Sequence, residues 1–142
     1  MSMSGERVNV IKGRATAFLD LAIELIRRGK LDIASFNIHQ ACQLRIKATL
    51  LRITGEMPRL HGIRELLGIL AKEVEELGYP EISKNIVSFV RQNRDALIDI
   101  ETSYTESRYG LAVTTRTSIE EMVKAAKALF NLLEEVEKDV MG

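Results

Sequence analysis

Apolar residues at Val8, Ile11, Ala15, Phe18, Ala22 and Ile26 recur in steps of three and four, the period of a helix that buries one face, and Gly29 supplies its stop. The next stretch, from about Asp32 to Thr54, breaks that pattern. Ile33, Ala34, Ile38, Ala41, Leu44, Ile46, Ala48 and Leu51 surround most of its circumference, which predicts a central, heavily buried helix with Asp32 as N-cap and Gly55 as its end. A third stripe, Ile63, Leu66, Leu67, Leu70, Val74 and Leu77, closes at Gly78 and Pro80. A fourth begins near Glu81 and carries Ile82, Ile86, Phe89, Val90, Leu97, Ile100 and Tyr104; Asn93 and its neighbours interrupt it, and Gly110 is its latest end. The last helix is expected to open at Ser118, which with Glu121 spells a capping box, and to run through Met122, Val123, Ala126, Phe130, Leu133 and Val136.

Five helices joined by short connections at residues 29 to 31, 55 to 60 and 78 to 81 predict antiparallel neighbours, and hence an all-α, up-and-down helical bundle filling one domain over residues 1–142. The connection from Thr105 to Thr117 is longer and polar, with Arg108, Tyr109, Gly110 and Arg116, and long loops often carry function.

Composition narrows the chemistry. The 142 residues hold 20 Lys and Arg against 20 Asp and Glu, no Trp and two Pro, so the core is aliphatic and long helices go unbroken. The neutral total conceals a split. Residues 1 to 64 contain 11 basic and 5 acidic side chains, and the remainder reverses the sign. Such a split marks either a binding surface or basic and acidic helices that neutralise each other inside one bundle; the internal reading is favoured. Cys42 is the only cysteine, which excludes an internal disulfide and paired-cysteine zinc sites. The opening residues lack the apolar core of a signal, and no run approaches the length of a membrane span, so a cytoplasmic location without membrane contact is expected.

With only His39 and His61, and with Phe36 and Pro58 three residues before them, the Glu-x-x-His pattern of carboxylate-bridged metal bundles is missing. Phosphate-binding glycine loops and nucleophile elbows are also missing from the sequence. No metal or cofactor is therefore expected, and no catalytic set can be assigned.

Three polar features remain. Gln40, Gln43 and Lys47 fall at i, i+3 and i+7 on an otherwise apolar helix, on a strip with Phe36 and Leu50, and require partners: a ligand, backbone groups, carboxylates or a second subunit. Arg108 beside Tyr109 joins a planar donor fork to a stacking face, suited to phosphate or base recognition, although surface packing and helix-dipole compensation more often account for such pairs. Arg91-Gln92-Asn93-Arg94 places an amide on an apolar face, where it needs a specific partner.

In order and spacing, Phe36-x-x-His39-Gln40-Ala41-x-Gln43-x-x-x-Lys47-Ala48-x-Leu50-Leu51, then Pro58-x-x-His61-Gly62-Ile63-x-x-Leu66-Leu67, then Ser107-Arg108-Tyr109 resembles the HEPN family over roughly residues 6 to 135. The resemblance implies an antiparallel helical bundle, several of whose bacterial and archaeal members are encoded beside a minimal nucleotidyltransferase as toxin–antitoxin pairs. Gln40 and Lys47 match the polar strip of the family's second helix, His61 the histidine that opens its third, and Arg108-Tyr109 its Arg-Tyr-Pro ending. Two positions depart from the pattern. Gln43 stands where many relatives have Glu, and Gly110 replaces Pro. Ribonuclease members resemble one another in an Arg followed after four to six residues by His. Here the required positions before His39 are Asp32, Ile33 and Ala34, and those before His61 are Thr54, Gly55 and Glu56.

The resemblance and its departures together imply a non-catalytic protein that forms a homodimer and binds a nucleotide, a nucleotidyltransferase partner, or both. Gln40, Gln43, Lys47, His61, Arg108 and Tyr109 are the expected ligand-binding residues, converging on an anion. An RNA-cleaving toxin and a purely structural dimer are the alternatives, and Tyr104 or Tyr109 is a candidate for modification by the partner.

Overall fold

A computed structural model of the protein describes the backbone of residues 3–109 and 114–142 and the side chains of residues 5–103 and 114–142. The described residues form six helices: α1 (Met3–Arg27), α2 (Leu31–Thr54), α3 (Ile63–Glu76), α4 (Pro80–Gln92), α5 (Arg94–Tyr109) and α6 (Arg116–Met141). The expected fourth helix is two. Asn93 leaves helical geometry at φ −113° and ψ 19°. Its side-chain amide donates to the Phe89 carbonyl at 3.0 Å, while its own carbonyl accepts the Leu97 N–H at 2.9 Å and so starts α5. An asparagine amide that competes for local backbone breaks a helix in this way. The partner required by that amide is the chain's own backbone.

Two starts also differ from expectation. Helix α2 begins one residue early, so Asp32 sits in its first turn, and the carboxylate accepts the backbone N–H of Thr114 at 2.9 Å instead of capping its own helix. Helix α6 is capped by Thr115, whose hydroxyl accepts the Ser118 N–H at 3.1 Å; the Ser118 and Glu121 box is not the cap. Gly55 ends α2 as expected, in the left-handed conformation at φ 80°.

Helix α2 is central, packed by α1, α3, α5 and α6. Ile38, Ala41, Cys42, Ile46 and Leu50 interlock with Leu66, Leu67 and Leu70 of α3, Leu97 and Ile100 of α5, and Met122, Leu129 and Leu133 of α6. Burial pushes the Cys42 thiol up to about 12, so it acts as a small apolar filler. Val8 and Ile11 of α1 pack on Ala48 and Leu51, near the far end of α2, so α1 and α2 run antiparallel. Among the described residues, no helix is long and apolar enough to cross a membrane.

The charge split resolves internally. Arg45, only 2% exposed, places Nη1 2.8 Å from Glu137 Oε2 and Nη2 2.8 Å from Glu134 Oε1. Thr49 donates to Glu137 at 2.7 Å, Arg52 reaches it at 3.0 Å, and Lys12 of α1 bridges Glu134 and Glu137. Burial raises the Glu137 pKa, but the Thr49 hydroxyl, Arg45 and Arg52 more than offset this and leave the carboxyl below its ordinary range. The basic first half of the chain thus meets the acidic second half inside the bundle.

Candidate functional site

One face of α2 carries His39 and Gln43, four residues apart and hence on adjacent turns. Opposite them the chain enters α3 through His61 and Gly62. Gln43 Nε2 hydrogen-bonds His61 Nδ1. With the amide as donor, the His61 ring carries its proton on Nε2. His39 is 2% exposed, and burial holds it below the ordinary imidazole range despite hydrogen bonds to the backbone of His61 and the side chain of Gln40 and the nearby Glu101 carboxylate. His39 is therefore neutral at physiological pH.

Helix α3 opens without a capping side chain, since its N-cap is Gly62. Glu101, reaching from α5, supplies what is missing: Oε1 accepts the Arg64 N–H and Oε2 accepts Arg64 Nε, each at 2.9 Å. His39, His61, Gly62, Arg64, Glu65 and Glu101 together line a cleft of about 550 Å³. The positive end of α3, where an anion would settle, is already occupied by a carboxylate of the same chain.

The expected residues distribute as follows. Gln43 and His61 are joined directly, and Gln40 supports His39. Lys47 is 8% exposed and stays outside the cleft's lining; burial lowers its pKa, and none of the ion pairs among the described residues includes it. Arg108 and Tyr109 close α5, and their side chains, with that of Tyr104, lie outside the described residues. Backbone register still bears on convergence. Ser103 donates to the Ser35 carbonyl at 3.1 Å, and Glu101 lies beside His39, so α5 runs antiparallel to α2. Arg108 is five residues beyond Ser103 and Lys47 twelve beyond Ser35, in opposite directions. At 1.5 Å per residue their backbones stand roughly 25 Å apart along the bundle. The geometry gathers Gln40, Gln43 and His61 and leaves Lys47 away from the end of α5.

Sequence reasoning missed His39, Arg64 and Glu101 as members of this cleft. His39 carried a signal, because it stands next to Gln40 and four before Gln43. Glu101 carried none, since only the fold brings it across to the first turn of α3.

The HEPN domain model matches residues 8–136, from within α1 to within α6. The chain belongs to the HEPN domain family. Its helical bundle is thus that of a HEPN protein. No curated protein matches the chain in sequence. Among the described residues, no group of three or more His, Cys, Asp or Glu side chains is placed to hold a metal ion.

Proposed function

We propose that this HEPN chain is a non-catalytic binding and interaction protein, which dimerises and uses the His39–His61 cleft to engage a nucleotide, a minimal nucleotidyltransferase partner, or both, in a toxin–antitoxin arrangement. The observation that carries the reading is the internal pairing of the cleft. His61 is held by Gln43 and Arg64 by Glu101, so the cleft presents a fixed pattern of donors and acceptors. Such a surface favours recognition by hydrogen bonding to a base edge or a polypeptide. The Glu101 carboxylate at the start of α3 disfavours a phosphate there, so a nucleotide would enter base first. Native mass spectrometry of the purified protein, followed by calorimetric titration with mononucleotides and with a co-expressed nucleotidyltransferase, tests this. Binding weakened by Gln43→Ala is expected; absence of binding to every one of these overturns the reading.

A second reading is favoured by one feature: both histidines meet in a cleft that also holds Arg64. A neutral imidazole, a second imidazole and a guanidinium form a set capable of acid–base cleavage of RNA, with His39 as base and Arg64, once its guanidinium leaves Glu101, stabilising charge on the phosphate. Cleavage of RNA by the wild type, lost in both His39→Ala and His61→Ala, would replace the binding reading with this one.

A further inference from the structure

The two carboxylates of the His39–His61 cleft are engaged differently. Glu101 gives both oxygens to Arg64, whereas Glu65, in the first turn of α3, enters no hydrogen bond or ion pair among the described residues. Its carboxylate folds back toward the N-cap. A Cβ on Gly62 would stand 3.4 Å from Glu65 Oε2, and both residues line the cleft. Arg64, its neighbour in sequence, pairs with Glu101 through Nε at 2.9 Å, which fixes the plane of the guanidinium and leaves the Nη1 and Nη2 donors for a ligand. A held donor fork and an unengaged carboxylate thus stand on consecutive residues of one cleft wall.

We propose, resting on the nucleotide reading above, that Arg64 and Glu65 select guanine as the base. Guanine presents two acceptors, N7 and O6, along one edge and two donors, N1–H and the N2 amine, along the next. Arg64 takes the acceptors as a fork, and the two oxygens of Glu65 take the donors. The other common bases do not match both. Adenine and cytosine set an amino donor against the guanidinium, and uracil offers the carboxylate a single N–H flanked by carbonyls. His61 adds a stacking face, since it is exposed and Gln43 holds the orientation of its ring. The charge balance agrees. Two carboxylates against one guanidinium repel a phosphate, so the base is the end of the nucleotide that the cleft accepts. A basic peptide would satisfy the carboxylates but would set its own cations against Arg64.

Calorimetric titration of the full chain with guanosine, adenosine, cytidine, uridine and inosine monophosphates, each up to millimolar concentration, tests it. Guanosine monophosphate is expected to bind about tenfold or more tightly than the adenine, cytosine and uracil nucleotides. Inosine monophosphate, which keeps N7, O6 and N1–H but lacks the N2 amine, is expected to fall between them. Glu65→Gln, which exchanges one acceptor for a donor, is expected to remove the preference while thermal circular dichroism shows the fold retained. Three results overturn guanine selection and leave the nucleotide reading standing: binding without preference for guanine, inosine bound as tightly as guanosine, or a preference unchanged by Glu65→Gln. If no nucleotide binds, guanine selection falls together with the nucleotide half of that reading, and the nucleotidyltransferase titration judges the other half.

Discussion

Glu101 of α5 accepts two hydrogen bonds from Arg64 of α3, one from the backbone N–H and one from the guanidinium, each at 2.9 Å. A helix that begins at a glycine is thereby capped from another helix. Removing a cap costs about 1–2 kcal/mol. Because Arg64 is 38% exposed, the ion pair itself adds little. Glu101→Ala is expected to lower the melting temperature by roughly 2–6 °C, and Glu101→Gln, which keeps one acceptor, by less. Thermal circular dichroism on the two variants checks the order.

The Arg45–Glu137 pair is buried on both sides, and removing one partner strands the other. Glu137→Ala is expected to cost about 3–5 kcal/mol, read as a shifted midpoint in urea. The same network sets the acid limit. The hydrogen bond from Lys12 lowers the Glu134 pKa, and Glu137 is lowered despite its burial, both from 4.5. A carboxyl whose folded pKa is depressed contributes stability that is complete above the unfolded value and lost as pH falls through the folded one. Unfolding free energy is expected to drop below about pH 4.5, with the drop smaller in Glu137→Gln.

The helical periods, the central position of α2 and the family were legible in the sequence, because burial imposes spacing on single helices such as Val8 to Ala22. What escaped depended on contacts between helices. The break at Asn93 turns on whether its amide takes the Phe89 carbonyl, and the cap of α6 on whether Thr115 or Ser118 accepts the N–H; sequence spacing permits both outcomes. The ligand set was partly legible for the same reason. Gln40, Gln43 and His61 share a neighbourhood fixed by α2 and the turn into α3, whereas the expected convergence of Lys47 with Arg108 required a register between α2 and α5 that no local pattern encodes.

Lys47 offers a separate test of the binding face. It is 8% exposed, burial lowers its pKa, and no carboxylate among the described residues pairs with it. A lysine whose folded pKa lies below its unfolded value weakens the fold at neutral pH and does so less as pH rises through the folded value. Lys47→Met fills the same volume without the charge, and is expected to raise stability by ~1 kcal/mol at neutral pH. If the ammonium serves a ligand, the variant will be more stable and bind less; if it serves the fold, stability will fall instead. Urea unfolding paired with calorimetric binding separates the two.

His39 should set a second, milder pH dependence. Burial lowers its pKa from 6.5, so the unfolded chain takes up a proton before the folded one does. Its contribution to stability is therefore present above about pH 6.5 and is lost as pH falls from there through the folded pKa, with a limiting slope of about 1.4 kcal/mol per pH unit for one proton. His39→Gln, which retains an amide donor in the same place, is expected to remove that slope, while the carboxylates of Glu134 and Glu137 remain to titrate. Urea unfolding from neutral pH down to about pH 5 reads the difference directly. Proton NMR of the wild type should show the His39 ring still neutral at pH 6.5, its ordinary midpoint. An identical slope in wild type and variant would mean that His39 is protonated as readily in the folded chain as in the unfolded one, and the neutral base that the RNA-cleaving reading needs would be gone with it.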